Sequence, residues 1–186
     1  RIGWIDRILE AGAPHEAAAL AEEMLGQGND AGMLDAAIRA YVVLEDRQSI
    51  ERLLLPAVDR IDIAATAEYF ARLAEQAGAE YAASLLYEKA ARLEPQRNES
   101  LGRAAILAAQ LRQTERARGL LEDYVGRGGQ SPEARYSLSE YDFEDGNLTR
   151  ARAGFEQTIS ASDRAPNNPV LLRLKALSLL RLRRET

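Results

Sequence analysis

The sequence has no cysteine, one histidine and one tryptophan in 186 residues. Without thiols it makes no disulfide, no thiolate zinc site and no cysteine nucleophile. His15, the sole histidine, has no second histidine or cysteine with which to build a triad or a typical zinc site. Long apolar runs are missing as well: nothing approaches the roughly 18 to 20 consecutive apolar residues of a membrane span, so no direct membrane insertion is expected of this segment. An excess of basic charge is also lacking. Against 24 Lys and Arg stand 29 Asp and Glu, a net charge of -5, which gives no general attraction to phosphate backbones or anionic lipid. The opening RIGWIDRILE does not read as a signal peptide, because charges interrupt its apolar part. The absence of cysteine suits a cytoplasmic or a periplasmic protein.

What the chain does contain is 46% apolar residues, a normal share for a folded protein, arranged with a period. Ala83, Ala117 and Ala151 stand 34 residues apart, and four residues after each comes a bulky group, Tyr87, Leu121 and Phe155. Five residues before Ala17, Ala83 and Ala151 sit Gly12, Gly78 and Gly146, whereas Arg112 takes that place before Ala117. Each unit reads as two antiparallel helices. In residues 64–78 one helical stripe is made by Ala67, Phe70, Ala71 and Ala74, and Gly78 ends the helix. A second stripe follows at Ala82, Ala83, Leu86, Tyr87, Ala90 and Leu93, stopping before Pro95. Small residues let helix axes approach closely, and the aromatic fills the space beside them.

Residues 64–97, through Ala67, Phe70, Ala71, Gly78, Ala83, Tyr87, Ala90 and Pro95, resemble the tetratricopeptide repeat. Residues 98–131 follow it through Leu101, Ala105, Ala108, Ala117, Leu121 and Tyr124. Residues 132–168 follow through Leu138, Ser139, Gly146, Leu148, Ala151, Phe155, Pro166 and Asn167, with a three-residue insertion read as a longer loop. Residues 30–63 form a degenerate unit with Ala36, Ala37 and Ala40 in its first helix, and Pro56 is expected to kink or split its second. Residues 1–29 and 169–186 are partial units. The resemblance implies an all-α, right-handed superhelical solenoid of stacked helix pairs, here one array over 1–186.

The ends read as cuts in a longer array. A first helix through Trp4, Ile5, Ile8 and Leu9 has APHEAAALAEEML as its partner, while PVLLRLKALSLLRLRR has no second helix. Terminal repeats normally carry a polar cap, so the last helix is expected to fray, to pack on a neighbour or to join a homodimer.

Chemistry finds little to work with, and no catalytic residue, metal or cofactor is expected. His15 reads as a surface residue in the first turn of a helix. Glu140, Asp142, Glu144 and Asp145 lack the spacing of a calcium loop and read as a solvated acidic face. GRGGQS at 126–131 has neither the lysine of a phosphate loop nor a preceding strand and reads as a turn between repeats.

The functional expectation is therefore a surface. In the family that the repeats resemble, the first helix of each unit lines a concave groove for protein or peptide partners. Carried over residue by residue, that groove comprises Glu68, Tyr69, Arg72, Glu75 and Gln76, then Glu99, Arg103, Ile106 and Gln110, then Glu133, Tyr136, Glu140, Phe143 and Glu144. The lysines and asparagines of the family's clamp for C-terminal carboxylates are missing from these places. Arg72 and Arg103 are expected to meet a partner's carboxylates, and Tyr69, Tyr136 and Phe143 its apolar groups. The reading is a non-catalytic scaffold that binds protein and no nucleic acid. Its alternatives are an accessory segment of an enzyme whose active site lies elsewhere and an RNA-binding helical repeat, which the charge disfavours. Richness in Ala, Leu and Arg is similar to bacterial arrays, including periplasmic scaffolds of exopolysaccharide export, which leans the location toward the periplasm.

Overall fold

The computed structural model describes residues 2–27 and 31–183. Every regular element among them is a helix: α1 (Ile2–Glu10), α2 (Pro14–Gln27), α3 (Ala31–Val43), α4 (Arg47–Leu54), α5 (Ala64–Gln76), α6 (Glu80–Leu93), α7 (Asn98–Gln110), α8 (Thr114–Gly126), α9 (Pro132–Glu144), α10 (Leu148–Asp163) and α11 (Pro169–Arg183). A short 3-10 helix, Leu55–Arg60, follows α4. The helices form two compact units, Arg1–Pro95 and Gln96–Thr186.

The turn inside each helix pair is one repeated device. Gly12, Glu45, Gly78, Arg112 and Gly146 all have positive φ, at 78°, 54°, 73°, 56° and 78°. Their spacings are 33, 33, 34 and 34 residues, so the period of 34 is one residue short over the first two intervals. After each, the next residue's N–H donates back to a carbonyl of the first helix: Ala13 to Ile8 at 3.1 Å, Asp46 to Tyr41 at 3.0 Å, Ala79 to Ala74 at 2.8 Å, Gln113 to Ala108 at 3.0 Å and Asn147 to Asp142 at 2.8 Å. This is the left-handed helix end that satisfies otherwise orphaned carbonyls. At Gly78 no Cβ opposes it. Glu45 and Arg112 adopt the same conformation with a side chain, because the hydrogen bonds and the packing of both flanking helices require it.

In the first unit the core is built from small residues. Ala17, Ala18, Ala21, Ala36, Ala37 and Ala40 are buried with Ile5 and Met33, and Leu20, Met24, Tyr41 and Leu53 pack around them. Ala67, Phe70, Ala71 and Ala74 of α5 meet Ala82, Ala83, Leu86, Tyr87 and Ala90 of α6, and all are buried. Leu93, assigned to that stripe from spacing, is instead exposed at the end of its helix. Pro56 ends α4 as expected: the chain tightens into the 3-10 helix there, which still buries Ala57. Asp46 caps α4 by accepting the Ser49 N–H at 3.1 Å.

In the second unit Ala117, Leu121, Ala151 and Phe155 are fully buried at the expected places. Leu148, matched to the repeat by its position, is exposed in the first turn of α10. The insertion before Pro166 also corrects the sequence reading. It mainly lengthens a helix rather than a loop: α10 has 16 residues against 14 in α6. The added turn carries buried Ser162, whose Oγ donates to the Thr158 carbonyl at 2.8 Å, so the extra residues continue the helix inside the packed layer.

Candidate interaction surface

The first unit presents α1, α3 and α5, the leading helices of their pairs. Between them lies an open cavity of about 400 Å3 lined by Leu9, Glu10, Arg39, Val42, Val43 and Leu73. Its walls are mainly aliphatic, and Val43 is 65% exposed. Arg39 is fixed beside it by Asp6 at 2.7 Å and Asp35 at 2.9 Å. The exposed Glu10 carboxylate pairs with no cation among the described residues. Sequence reasoning missed this cavity, having carried the groove over from residue 64 onward only. The signal was present in the sequence as Leu9, Val42 and Val43, apolar residues near the ends of leading helices.

The predicted groove residues of α5 stand beside this region. Tyr69 is partly exposed, and its hydroxyl donates to Asp35 at 2.7 Å. Burial of the ring first, and then that bond to a carboxylate, push its pKa up to about 12. Arg72 is exposed and lies 3.5 Å from Glu68 one turn before it. Glu75 accepts the Tyr87 hydroxyl at 3.0 Å, joining α5 to α6. Gln76 is exposed at the end of α5.

In the second unit the leading helices are α7, α9 and α11. Glu99, Arg103 and Gln110 are exposed on α7, and Ile106 is half-buried. On α9, Tyr136 packs its ring 5.7 Å from that of Phe155. Its pKa rises to about 12, chiefly through burial and then through the neighbouring Glu140 carboxylate. Glu140 accepts both arms of the Arg181 guanidinium, at 2.8 and 2.6 Å, and the same guanidinium lies 5.2 Å from the centre of the Phe143 ring. Tyr136, Glu140 and Phe143 therefore come together as one cluster covered by α11. Glu133 is half-buried in the first turn of α9, and Glu144 is exposed at its end.

The solvated acidic face expected at 140–145 is corrected by these contacts. Glu140 pairs with Arg181, Asp142 is buried and pairs with Arg150 at 3.5 Å, and Asp145 pairs with Arg118. The arginines of neighbouring helices reach the carboxylates, which sequence spacing along α9 alone does not reveal. Among the described residues no three acidic or histidine side chains gather as for a metal ion, and no helix is long and apolar enough to cross a membrane. His15 is exposed in the first turn of α2. Large apolar side chains are open to solvent at Trp4, 70% exposed, and at Val170, Leu172, Leu179 and Leu180 of α11.

No protein-family model and no curated protein matches the sequence. Solved structures do match the fold. YrrB, described as a TPR protein with an unusual peptide-binding site, is 15% identical with a TM-score of 0.61, covering 94% of this chain and 90% of its own. The C-terminal part of a TPR repeat-containing protein from Cytophaga hutchinsonii is 13% identical with a TM-score of 0.58, covering 100% of this chain and 72% of its own.

Proposed function

We propose that this chain, which has the tetratricopeptide-repeat fold, is a non-catalytic scaffold that holds a peptide segment of a partner protein against its leading helices. The observation that carries the reading is the aliphatic cavity between α1, α3 and α5. A cavity of that size accepts a bulky apolar side chain, and Glu10 at its rim, which pairs with no cation among the described residues, favours a basic residue beside it. The peptide-binding site named for YrrB accords with this use of the fold. Tyr69, Arg72 and Gln76 extend the proposed contact along α5, and Arg103, Ile106 and Gln110 offer a further contact on α7. The bacterial envelope, and an exopolysaccharide secretion assembly within it, is the setting proposed from the resemblance of composition.

The test is a peptide array in which a bulky apolar residue is flanked by Lys or Arg. Fluorescence anisotropy then measures the best binders against the wild-type chain and Val43→Asp. Binding weakened by Val43→Asp, with an unchanged melting temperature, supports the cavity. Equal binding by both proteins moves the contact elsewhere. Fractionation of cells producing the protein from its own gene decides the compartment.

A further inference from the structure

Where the connection from α8 to α9 meets α10 lies a second cavity, of about 290 Å3, lined by Gln130, Arg135, Gln157, Ser160 and Arg164 together with Pro132 and Ala161. Its polar groups are unevenly matched. Arg135 donates to the Gly129 carbonyl at 3.2 Å and to the Gln157 side-chain oxygen, both neutral acceptors. With five N–H groups in a rigid fork, it keeps donors to spare. The Arg164 side chain makes no hydrogen bond or ion pair with a described residue. Gln157 has its oxygen engaged by Arg135, which leaves its amide N–H groups for another partner. Gln130 spends one N–H on the Gly128 carbonyl at 3.0 Å and keeps the other. The Ser160 hydroxyl donates away, to the Glu156 carbonyl at 3.0 Å.

The nearby carboxylates do not balance this set. Asp163, beside Arg164, is held by Lys175 at 2.5 Å, and Glu156 by Arg152 at 3.1 Å. Glu133, next to Pro132, is not among the lining residues. Two guanidinium groups without a carboxylate thus face one cavity whose free groups are mostly donors. Such a set is satisfied by a ligand that only accepts hydrogen bonds and carries negative charge.

We infer that this cavity is a carboxylate-binding site for an acidic peptide segment, separate from the apolar cavity of the first unit and independent of its occupancy. The net charge of -5 opposes a long polyanion such as nucleic acid, whereas a short acidic segment needs only the local pair of arginines. Arg164 is the exposed half of the clamp and Arg135 the anchored half, its guanidinium bonded to the Gly129 carbonyl.

The experiment is a nuclear magnetic resonance titration of the full chain with acetylated, amidated hexaglutamate and, separately, with inorganic phosphate, at constant ionic strength. Hexaglutamate is expected to give saturable shifts at the amides of Gln130, Gln157, Ser160 and Ala161. Arg164→Gln, which removes no side-chain bond to a described residue, is expected to weaken it about tenfold. Arg135→Lys keeps the charge but loses the fork, and is expected to weaken binding as well. Shifts that do not saturate, or equal affinity in Arg164→Gln, would overturn the site. Saturation by phosphate but not by hexaglutamate would overturn the peptide assignment, leaving a site for small tetrahedral anions.

Discussion

A Cβ placed on Gly102 would stand 2.7 Å from Cε2 of Tyr124. The ring of Tyr124, fully buried, therefore rests on the bare backbone of α7. Its hydroxyl accepts the Ser131 N–H at 2.8 Å, and Gly129 passes so close that a Cβ there would lie 2.3 Å from the ring. One aromatic thus locks two helices and the connection after them. The GRGGQS stretch, legible in sequence only as a turn, owes the second of its paired glycines to this ring.

Gly102→Ala is expected to destabilise the protein by about 1 to 3 kcal/mol, because the ring must leave its place or the helices must part. Gly119 provides the contrast: it is exposed within α8, with nothing within 4 Å of a Cβ. Gly119→Ala is expected to stabilise by about 0.5 to 1 kcal/mol through helix propensity alone. Urea unfolding of both variants checks the pair of opposite signs, and destabilisation of equal size in both would sink the argument from the ring.

Arg112 holds a φ of 56° at a turn where Gly12, Gly78 and Gly146 hold the same conformation without a Cβ. Relieving that strain with Arg112→Gly is expected to raise stability by about 0.5 to 1 kcal/mol, the left-handed penalty being partly offset by the greater freedom of glycine in the unfolded chain. Gly78→Ala is expected to lower stability by about 1 kcal/mol for the converse reason. A shift of the thermal midpoint in the same direction for both variants would contradict the account of the turn.

Tyr69 and Tyr136 each have a pKa raised to about 12, first by burial and then by a neighbouring carboxylate. In the unfolded chain the phenol loses its proton near 10. A pKa raised in the folded state means that the fold retains a proton which the unfolded chain releases. The stabilisation is therefore complete below pH 10 and is lost as pH rises toward 12. Stability from denaturant titrations at steps across this window should fall in the wild type. It should fall less in the Tyr69→Phe, Tyr136→Phe double variant, and an identical decline in both proteins would contradict the assignment.

Legibility followed locality. The stripes at Ala67, Phe70, Ala71 and Ala74, the aromatic at Tyr87 and the break at Pro56 depend on neighbours within a helical turn or two, so spacing alone reveals them. The left-handed turn at Glu45 was hidden because glutamate replaces the glycine that usually marks it. Leu93 and Leu148 fit the apolar period yet lie at helix ends where no neighbour covers them. The pairing of Glu140 with Arg181 spans 41 residues, and no local pattern in α9 announces it. For the same reason the apolar residues Leu9, Val43 and Leu73 were legible singly but their meeting in one cavity was not: its walls come from three helices, two of them in units whose repeat pattern is partial or degenerate.

The two views of the binding surface separate in one set of affinities. An exposed ion pair contributes about 0 to 1 kcal/mol, so if the cavity anchors the partner, Arg72→Glu and Arg103→Glu should each weaken the array-selected peptide less than about fivefold. Val43→Asp places a charge against an apolar anchor and should cost at least about tenfold. Glu10→Lys should reduce preference for a basic flanking residue while leaving the apolar requirement intact. The reverse order, with the arginine variants losing most and Val43→Asp little, would return the contact to α5 and α7. Because Val43 is 65% exposed and buries little on folding, its loss of binding cannot be attributed to unfolding if the thermal midpoint is unchanged, and the ranking of the variants then identifies the contact.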